Sequence, residues 1–123
     1  MAKVAILITL CILYSGYSVL VYTKGTHNRY SFSNSEQELI SEGKRIYQEY
    51  NCMSCHQVYG LGGYLGTDLT TAYSDKRRGE AYMRALLQSG GSRMPDFKFK
   101  PKQIDAIIAY LKYVDTTATP IKF

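Results

Sequence analysis

The sequence predicts an all-α protein, in which one N-terminal transmembrane helix precedes a small domain of three or four short helices. Three observations support this fold class. Residues 4–22 form an uncharged apolar run. Apolar residues recur at helical spacing in three later segments, and glycine-rich loops separate these segments. No segment shows the alternating pattern of a strand strongly enough to predict one.

Length and charge exclude several classes of protein. The chain has 123 residues, which predicts one domain and is too short for a TIM barrel or a full dinucleotide-binding fold. The formal net charge is +5, but Lys3, Lys24 and Arg29 flank the apolar run. Without these three, twelve basic residues remain against ten acidic ones, with no basic block or stripe. The charge pattern therefore does not indicate a nucleic-acid-binding protein.

The apolar run predicts a membrane anchor over residues 1–23. As a helix, residues 4–22 extend about 28 Å at about 1.5 Å per residue, close to the hydrocarbon thickness of a bilayer. Lys3 and Lys24 stand where their side chains can reach the headgroups. The alternatives are a cleaved signal peptide or a lipoprotein cleaved before Cys11, but no A-x-A-like site follows the run and the residue before Cys11 is large. We expect an uncleaved anchor in which Cys11 is an inert apolar residue.

A small and polar patch interrupts the anchor near its middle, at Tyr14, Ser15, Gly16, Tyr17 and Ser18. Small residues allow two helices to approach closely, and hydroxyls in a membrane find partners on a neighbouring helix. The hydroxyls could instead bond to carbonyls of their own helix. We favour a partner helix.

Residues 24–34 are polar and lack helical periodicity, so they predict a linker, in which we expect His27 to be solvated. The domain then occupies residues 35–123. Its first amphipathic helix is predicted to begin after Ser33 or Ser35 and to end near Tyr50, because apolar residues recur there at helical spacing.

Two further helices are predicted in the domain. Residues 56–77 are rich in glycine and predict a loop that wraps around something, and a helix over 79–88 follows. The last helix begins at Pro101, where Gln103 can reach back to the cap. Its predicted apolar face consists of Ile104, Ile107, Ile108, Leu111 and Val114.

The tail over residues 115–123 is predicted to be extended. A domain of this size and loop content has little apolar area with which to offset its chain entropy. We therefore expect something other than side chains to fill its centre.

The sequence Cys52-Met53-Ser54-Cys55-His56 is a C-x-x-C-H motif directly after the first predicted helix of the domain. Two thiols three positions apart on one turn reach both vinyl groups of a haem and form thioethers, while the adjacent imidazole reaches the iron.

Two other interpretations of the cysteine motif have less support. A thioredoxin-type dithiol would need a nearby βαβ pattern, and a zinc site would need a fourth ligand, whereas the only other histidine is in the linker. The motif predicts one haem c, covalently bound at Cys52 and Cys55 with His56 as a ligand of the iron.

A sixth ligand is expected from methionine. Met94 lies in a turn after Gly90 and Gly91 that can bring a thioether over an iron, whereas Met83 lies in a predicted helix and suits a core. We therefore predict Met94 as the second axial ligand.

These motifs resemble class I cytochromes c. The resemblance covers residues 36–114 and rests on C-x-x-C-H after a helix, then M-P-x-F, then a helix ending in I-A-Y-L. In that family the first and last helices cross, with a glycine and an aromatic residue of one meeting an aromatic residue of the other. Gly43 and Tyr47 match the first pair, and Tyr110 matches the second aromatic residue.

A more detailed similarity is to the small cytochrome c subunit of nitric oxide reductase. It rests on residues 59–70, the N-terminal anchor, Arg77-Arg78-Gly79-Glu80 and the Met94-Pro95-Asp96-Phe97 segment. Members of that family usually have proline where this chain has Thr67. The resemblance implies that the carbonyl of this residue accepts the proton of the ligand imidazole, and the loss of proline makes the loop less fixed.

The resemblance implies a function. The chain would carry electrons from a soluble periplasmic donor to a larger, multi-span, haem-containing membrane subunit that reduces nitric oxide. The sequence offers no nucleophile–base pair or paired carboxylates for a catalytic site of its own. The alternatives are a haem subunit of a haem–copper oxygen reductase or quinol-oxidising complex, and a freestanding tethered shuttle. Because haem c is attached outside the cytoplasmic membrane, we expect a bacterial inner-membrane protein with its N-terminus cytoplasmic and its haem domain periplasmic.

Overall fold

The computed structural model describes residues 2–25 and 31–118. His27 and the end of the predicted tail, residues 119–123, lie outside the described residues. The chain divides into two units, Met1–Ser31 and Phe32–Phe123, which are described separately below.

The first unit contains a single long apolar helix. Helix α1 covers Ala2–Leu20 and continues into a π-helical turn over Val21–Gly25. A span of 22 residues, Ala2–Thr23, has a mean hydropathy of 2.2 over its most apolar window. The helix is thus long and apolar enough to cross a membrane, as the sequence predicts.

The second unit begins with helix α2, Asn34–Glu49. Ser33 caps it: the Ser33 hydroxyl oxygen accepts a hydrogen bond from the Glu36 backbone N–H, and a Glu36 carboxylate oxygen accepts one from the Ser33 N–H at 2.9 Å. This reciprocal pair is a capping box. Of the two predicted starts, after Ser33 or after Ser35, the structure has the first.

A two-stranded antiparallel hairpin follows the cysteine motif. Strand β1 is Gln57–Val58 and strand β2 is Leu61–Gly62. Tyr59 and Gly60, which connect them, have φ values of 54° and 76°, as tight hairpin turns require. The sequence did not predict these strands, because two residues are too few to show an alternating pattern.

Helices α3, Gly79–Ser89, and α4, Pro101–Ala118, complete the domain. The side-chain oxygen of Gln103 accepts a hydrogen bond from the Lys100 N–H at 2.9 Å, so the predicted cap of α4 is present. Helix α3 begins at the predicted residue and ends one residue later than predicted, and the predicted start of α4 is confirmed.

The prediction of an extended tail is wrong for residues 115–118, which continue α4. Asp115 is buried, and its carboxylate accepts a hydrogen bond from the Ser74 N–H at 2.7 Å. The Thr117 hydroxyl lies 2.5 Å from the Tyr59 hydroxyl. These contacts come from residues far away in the sequence, so the local pattern gives no sign of them, and the first helix breaker is Pro120.

The core lies mainly between α2 and α4. A Cβ atom at Gly43 would collide with the carbonyl oxygen of Ala106, so the two helix backbones touch there. Beside this contact the Tyr47 and Tyr110 rings lie 5.4 Å apart. The predicted apolar face of α4 is buried throughout. Other buried apolar residues outside α4 are Ile46, Val58, Met83, Leu87 and, in the segment before α4, Phe99. The predicted crossing of the first and last helices of the domain is therefore confirmed.

We predict that Gly43→Ala destabilises the domain, although alanine is the better helix former. The added methyl must push α4 away, and such overpacking costs about 1–3 kcal/mol. At about 4–8 °C per kcal/mol for a domain of this size, thermal unfolding followed by circular dichroism would detect the loss. The control is Gly79→Ala, whose added Cβ would meet only the Tyr73 carbonyl oxygen at 3.6 Å. An unchanged midpoint for Gly43→Ala would contradict the proposed close contact.

Candidate haem site

The cysteine motif lies on a single turn beyond the end of α2. Asn51 adopts a left-handed conformation with φ of 52°, which asparagine tolerates better than most residues, and so ends the helix. Cys52–Ser54 then form a 3₁₀ turn, and the His56 N–H donates to the Cys52 carbonyl oxygen at 3.0 Å. The two thiols and the imidazole are therefore presented by one short, hydrogen-bonded segment. Neither cysteine forms a disulfide with a described residue, and both are half-buried.

The glycine-rich loop folds back onto this segment. The Gly63 N–H donates to the Met53 carbonyl oxygen at 2.8 Å, and the Gly66 N–H donates to the Cys55 carbonyl oxygen at 2.7 Å. A Cβ atom at Gly66 would collide with the imidazole ring of His56. The loop can thus lie flat against His56 only because Gly66 has no side chain.

The imidazole of His56 is oriented by the same loop. Its Nδ1 atom lies 2.7 Å from the carbonyl oxygen of Thr67. Since a carbonyl can only accept, Nδ1 carries the proton and donates it to this bond. The tautomer that results leaves Nε2 with a free lone pair, which is the form that binds a metal.

A largely apolar cleft lies between the motif, α3 and α4. Apolar clefts lined by a few polar groups are the usual form of a site that binds a small molecule or cofactor. Cys52, His56 and Met94 line it, and these three residues also line an adjoining cleft that contains Cys55 and Leu65. The structure therefore brings the predicted site residues together around two adjoining clefts.

The two candidate methionines differ in their positions. Met83 is buried in α3 and lines only the first cleft, whereas Met94 is half-buried and lines both. Met94 belongs to a turn that the Gly91 N–H closes by donating to the Met94 carbonyl oxygen at 2.9 Å.

One buried polar atom of the cleft has no partner in the described residues. It is the hydroxyl oxygen of Tyr47, a residue only 2% exposed, and burial raises the pKa of this hydroxyl. Leaving a buried hydroxyl unpaired costs about 1–3 kcal/mol. An unpaired hydroxyl, two thiols, an imidazole and a thioether around an apolar space fit a large cofactor with a polar periphery, and therefore fit haem.

The other interpretations of the cysteines find no support in the described residues. Burial raises the pKa of the Cys52 thiol, whereas a redox-active dithiol needs a lowered one. In residues 2–25 and 31–118, no three histidine, cysteine or acidic side chains come together as a metal site, so zinc lacks ligands there.

Comparison with known families agrees with this geometry. Residues 38–111, more than half of the chain, match the family described as cytochrome c oxidase, cbb3-type, subunit III. The chain belongs to this family. The predicted class I cytochrome c domain is thereby confirmed, and membership of a cytochrome c family implies haem c and electron transport.

Two relatives show a more specific similarity. The chain is 28% identical to the C subunit of nitric oxide reductase from Stutzerimonas stutzeri over 112 residues, which cover 80% of this chain and 76% of the relative. It is 27% identical to the C subunit of nitric oxide reductase from Halomonas halodenitrificans over 90 residues, which cover 63% of this chain and 60% of the relative. The predicted similarity to that subunit is confirmed. With the apolar helix α1, these matches indicate a single-pass membrane cytochrome c.

Sequence reasoning missed three contributors to the site. Gly66 makes room for the imidazole, Tyr47 lines the cleft and has a buried hydroxyl without a partner among the described residues, and Arg78 also lines the cleft. The glycine-rich composition of the loop is a sequence signal that could have pointed to Gly66. Tyr47 at helical spacing looks like an ordinary core residue, and nothing in the local sequence distinguishes Arg78 from its neighbour Arg77.

Proposed function

We propose that the chain is a membrane-anchored monohaem cytochrome c subunit. In this proposal it carries electrons from a periplasmic donor to a haem-containing catalytic membrane subunit of a nitric oxide reductase. The observation that carries the proposal is that Cys52, His56 and Met94 together line the same two adjoining clefts. Membership of a cytochrome c family supports the electron-transfer role, and the two relatives, both of them C subunits of nitric oxide reductases, support the choice of complex.

The residues of the site have distinct roles in this proposal. Cys52 and Cys55 hold one haem c through thioether bonds, and His56 and Met94 are the axial ligands of its iron. The Thr67 carbonyl keeps the His56 ring in the binding tautomer. When bound, haem c supplies a centre that gains and loses one electron. The apolar lining would limit the access of water, and with two protein ligands the haem iron would have no position left for a substrate.

The covalent bond to the cysteines gives the first test. We expect the denatured chain to retain its haem in acid–acetone extraction and to give a c-type pyridine haemochrome, because thioethers survive denaturation. The double variant Cys52→Ala/Cys55→Ala should lose this property, and Cys11→Ala is the matched control that should keep it. Extraction of the haem from the unaltered chain would refute the proposal.

The axial methionine gives the second test. Met94→Leu should abolish the sulfur-to-iron charge-transfer band and lower the reduction potential, because thioether ligation raises the potential. Met83→Leu is the matched control, since it removes a thioether from the same cleft, and it should retain the band. Loss of the band only in Met83→Leu would reverse the assignment.

The domain limits and the topology are part of the same proposal. Residues 1–23 are the anchor, 24–34 the linker and 35–123 the haem domain. The N-terminus is cytoplasmic and the haem domain periplasmic, at the inner membrane of a bacterium, because haem c is attached on that side. Protease added to spheroplasts should therefore remove the haem-staining domain, and a protected domain would contradict this orientation.

One observation favours a second candidate function. The matching family is described by an oxidase, cytochrome c oxidase of the cbb3 type, so a subunit of an oxygen reductase is the alternative. Two further alternative functions are a subunit of a quinol-oxidising complex and a freestanding tethered electron shuttle. The relatives favour nitric oxide reductase, since their alignment extends over as much as 80% of the chain.

The anchor offers a surface for the larger subunit. Within the described part of α1, Thr9 donates to the carbonyl of Ala5 at 2.9 Å, but the hydroxyls of Tyr14, Tyr17 and Ser18 have no hydrogen-bond partner. Hydroxyls without partners in lipid are costly, which favours a neighbouring helix over bonds within α1. We propose that these residues and Gly16 face the catalytic subunit.

The partner gives the third test. A complex purified through this chain in mild detergent should contain a larger haem-bearing subunit and convert nitric oxide to nitrous oxide with a reduced donor. Reduction of oxygen alone would move the assignment to an oxidase, and a chain that purifies alone with its haem would favour the shuttle. Gly16→Leu should weaken the complex. Its added side chain would meet no atom of this chain and would occupy the space of the partner helix. Ala5→Leu, near the end of α1, is the control and should leave the complex intact.

A further inference from the structure

Two hydrogen bonds join the segment that carries the Thr67 carbonyl to the β1–β2 hairpin. The Leu69 N–H donates to the Gln57 carbonyl oxygen at 2.8 Å. The Tyr59 N–H donates to the Thr70 hydroxyl oxygen at 2.8 Å. Both bonds follow, along the chain, the bond between the imidazole and the Thr67 carbonyl. The position of that carbonyl therefore depends on how firmly the hairpin holds residues 67–70.

Tyr59 is bonded in two directions. Its φ of 54° lies in the left-handed region, which an aromatic residue rarely adopts. A strained conformation of this kind persists where the surrounding structure holds it, often close to a functional site. Here the Tyr59 N–H is bonded to Thr70, and the Tyr59 hydroxyl oxygen lies 3.2 Å from the Val114 carbonyl oxygen and 2.5 Å from the Thr117 hydroxyl oxygen. Tyr59 thus connects residues 67–70 to the end of α4.

The acceptor of this backbone bond, Thr70, is also held from its other side. The Thr70 N–H donates to a carboxylate oxygen of Asp68 at 2.7 Å, which forms a turn within residues 68–70. Thr70 is half-buried, and its hydroxyl is the acceptor that faces Tyr59. The turn fixes the Thr70 hydroxyl relative to the Thr67 carbonyl, and α4 fixes Tyr59. A shift of the Thr67 carbonyl would therefore break bonds on both sides.

We propose that Tyr59 and Thr70 are positioning residues for the iron ligand His56. They hold the Thr67 carbonyl against Nδ1 of the imidazole, and through this bond they set the reduction potential. The inference rests on the proposed haem c. A carbonyl that accepts the Nδ1 proton raises the basicity of the imidazole. A more basic ligand stabilises the more positive, oxidised iron, so a tight contact lowers the potential and a loose contact raises it.

The test compares Thr70→Val with Thr71→Val in the full-length chain in detergent. Both variants replace a hydroxyl by a methyl group, but Thr71 is exposed and only its carbonyl accepts a side-chain hydrogen bond from a described residue. Thr70→Val should raise the reduction potential by an amount equal to about a two- to fivefold change in the redox equilibrium constant. Thr71→Val should change that constant by less than about 1.5-fold, because it leaves the bond to Tyr59 intact.

A second measurement observes the imidazole itself. In proton magnetic resonance spectra of the reduced protein, the Nδ1 proton of His56 should exchange with solvent about three- to tenfold faster in Thr70→Val. Thr70→Ser keeps a hydroxyl, so it should restore both the potential and the exchange rate. A residue that only stabilised the fold would change the melting temperature without changing either of these quantities.

An unchanged potential, an unchanged exchange rate in Thr70→Val, or equal changes in Thr71→Val would each overturn the inference. The proposed function would stand in all three cases, since the pyridine haemochrome of the unaltered chain tests the haem separately. If Thr70→Val fails to fold, Tyr59→Phe takes its place, because it removes only the hydroxyl that contacts α4. It should raise the potential and the exchange rate in the same direction, and unchanged values would overturn the inference.

Discussion

The haem domain depends on one backbone contact, in which α2 meets α4 at Gly43 and Ala106. Helices with side chains at their crossing stay about 8–10 Å apart, whereas a glycine lets the backbones touch. This contact brings Ile46 and Tyr47 against the buried face of α4. Because the cysteine turn follows α2 directly, the crossing also fixes the direction in which the turn faces. The position of the site is therefore a consequence of how two helices pack.

The loop beyond the motif complements this arrangement by using backbone atoms in place of side chains. Carbonyl oxygens of Met53 and Cys55 accept N–H groups of the loop, and the Thr67 carbonyl lies against the imidazole of His56. A carbonyl is present at any residue type, so the replacement of the usual proline by Thr67 does not remove this contact. Ordering such a loop costs chain entropy that its own few apolar contacts cannot offset. A cofactor bonded covalently to the same segment would supply the missing apolar contacts and reduce the entropy of the unfolded chain.

The features that the sequence predicts correctly are those with local causes. The capping box at Ser33, the cap of α4 at Gln103 and the apolar face of α4 all depend on residues within a few positions of one another. The errors have distant causes. Helix α4 extends to Ala118 because Asp115 and Thr117 contact residues 41 and 58 positions away, and no window of the sequence contains both partners.

The same distinction applies to the site. Met83 and Met94 line the first cleft together, and only the fold separates a methionine within a rigid helix from one in a turn that borders both clefts. Likewise, Arg77 and Arg78 are equivalent in the sequence, but only Arg78 lines the cleft, where Asp75 contacts its side chain.

Electron transfer requires no reacting side chain; it requires a centre whose surroundings change little between two oxidation states. Backbone contacts at His56 and an apolar lining both act in that direction, since each limits the reorganisation that follows a change of charge. The functional information of this domain therefore lies in its packing more than in its reactive groups, and the sequence motif alone specifies the cofactor without specifying its surroundings.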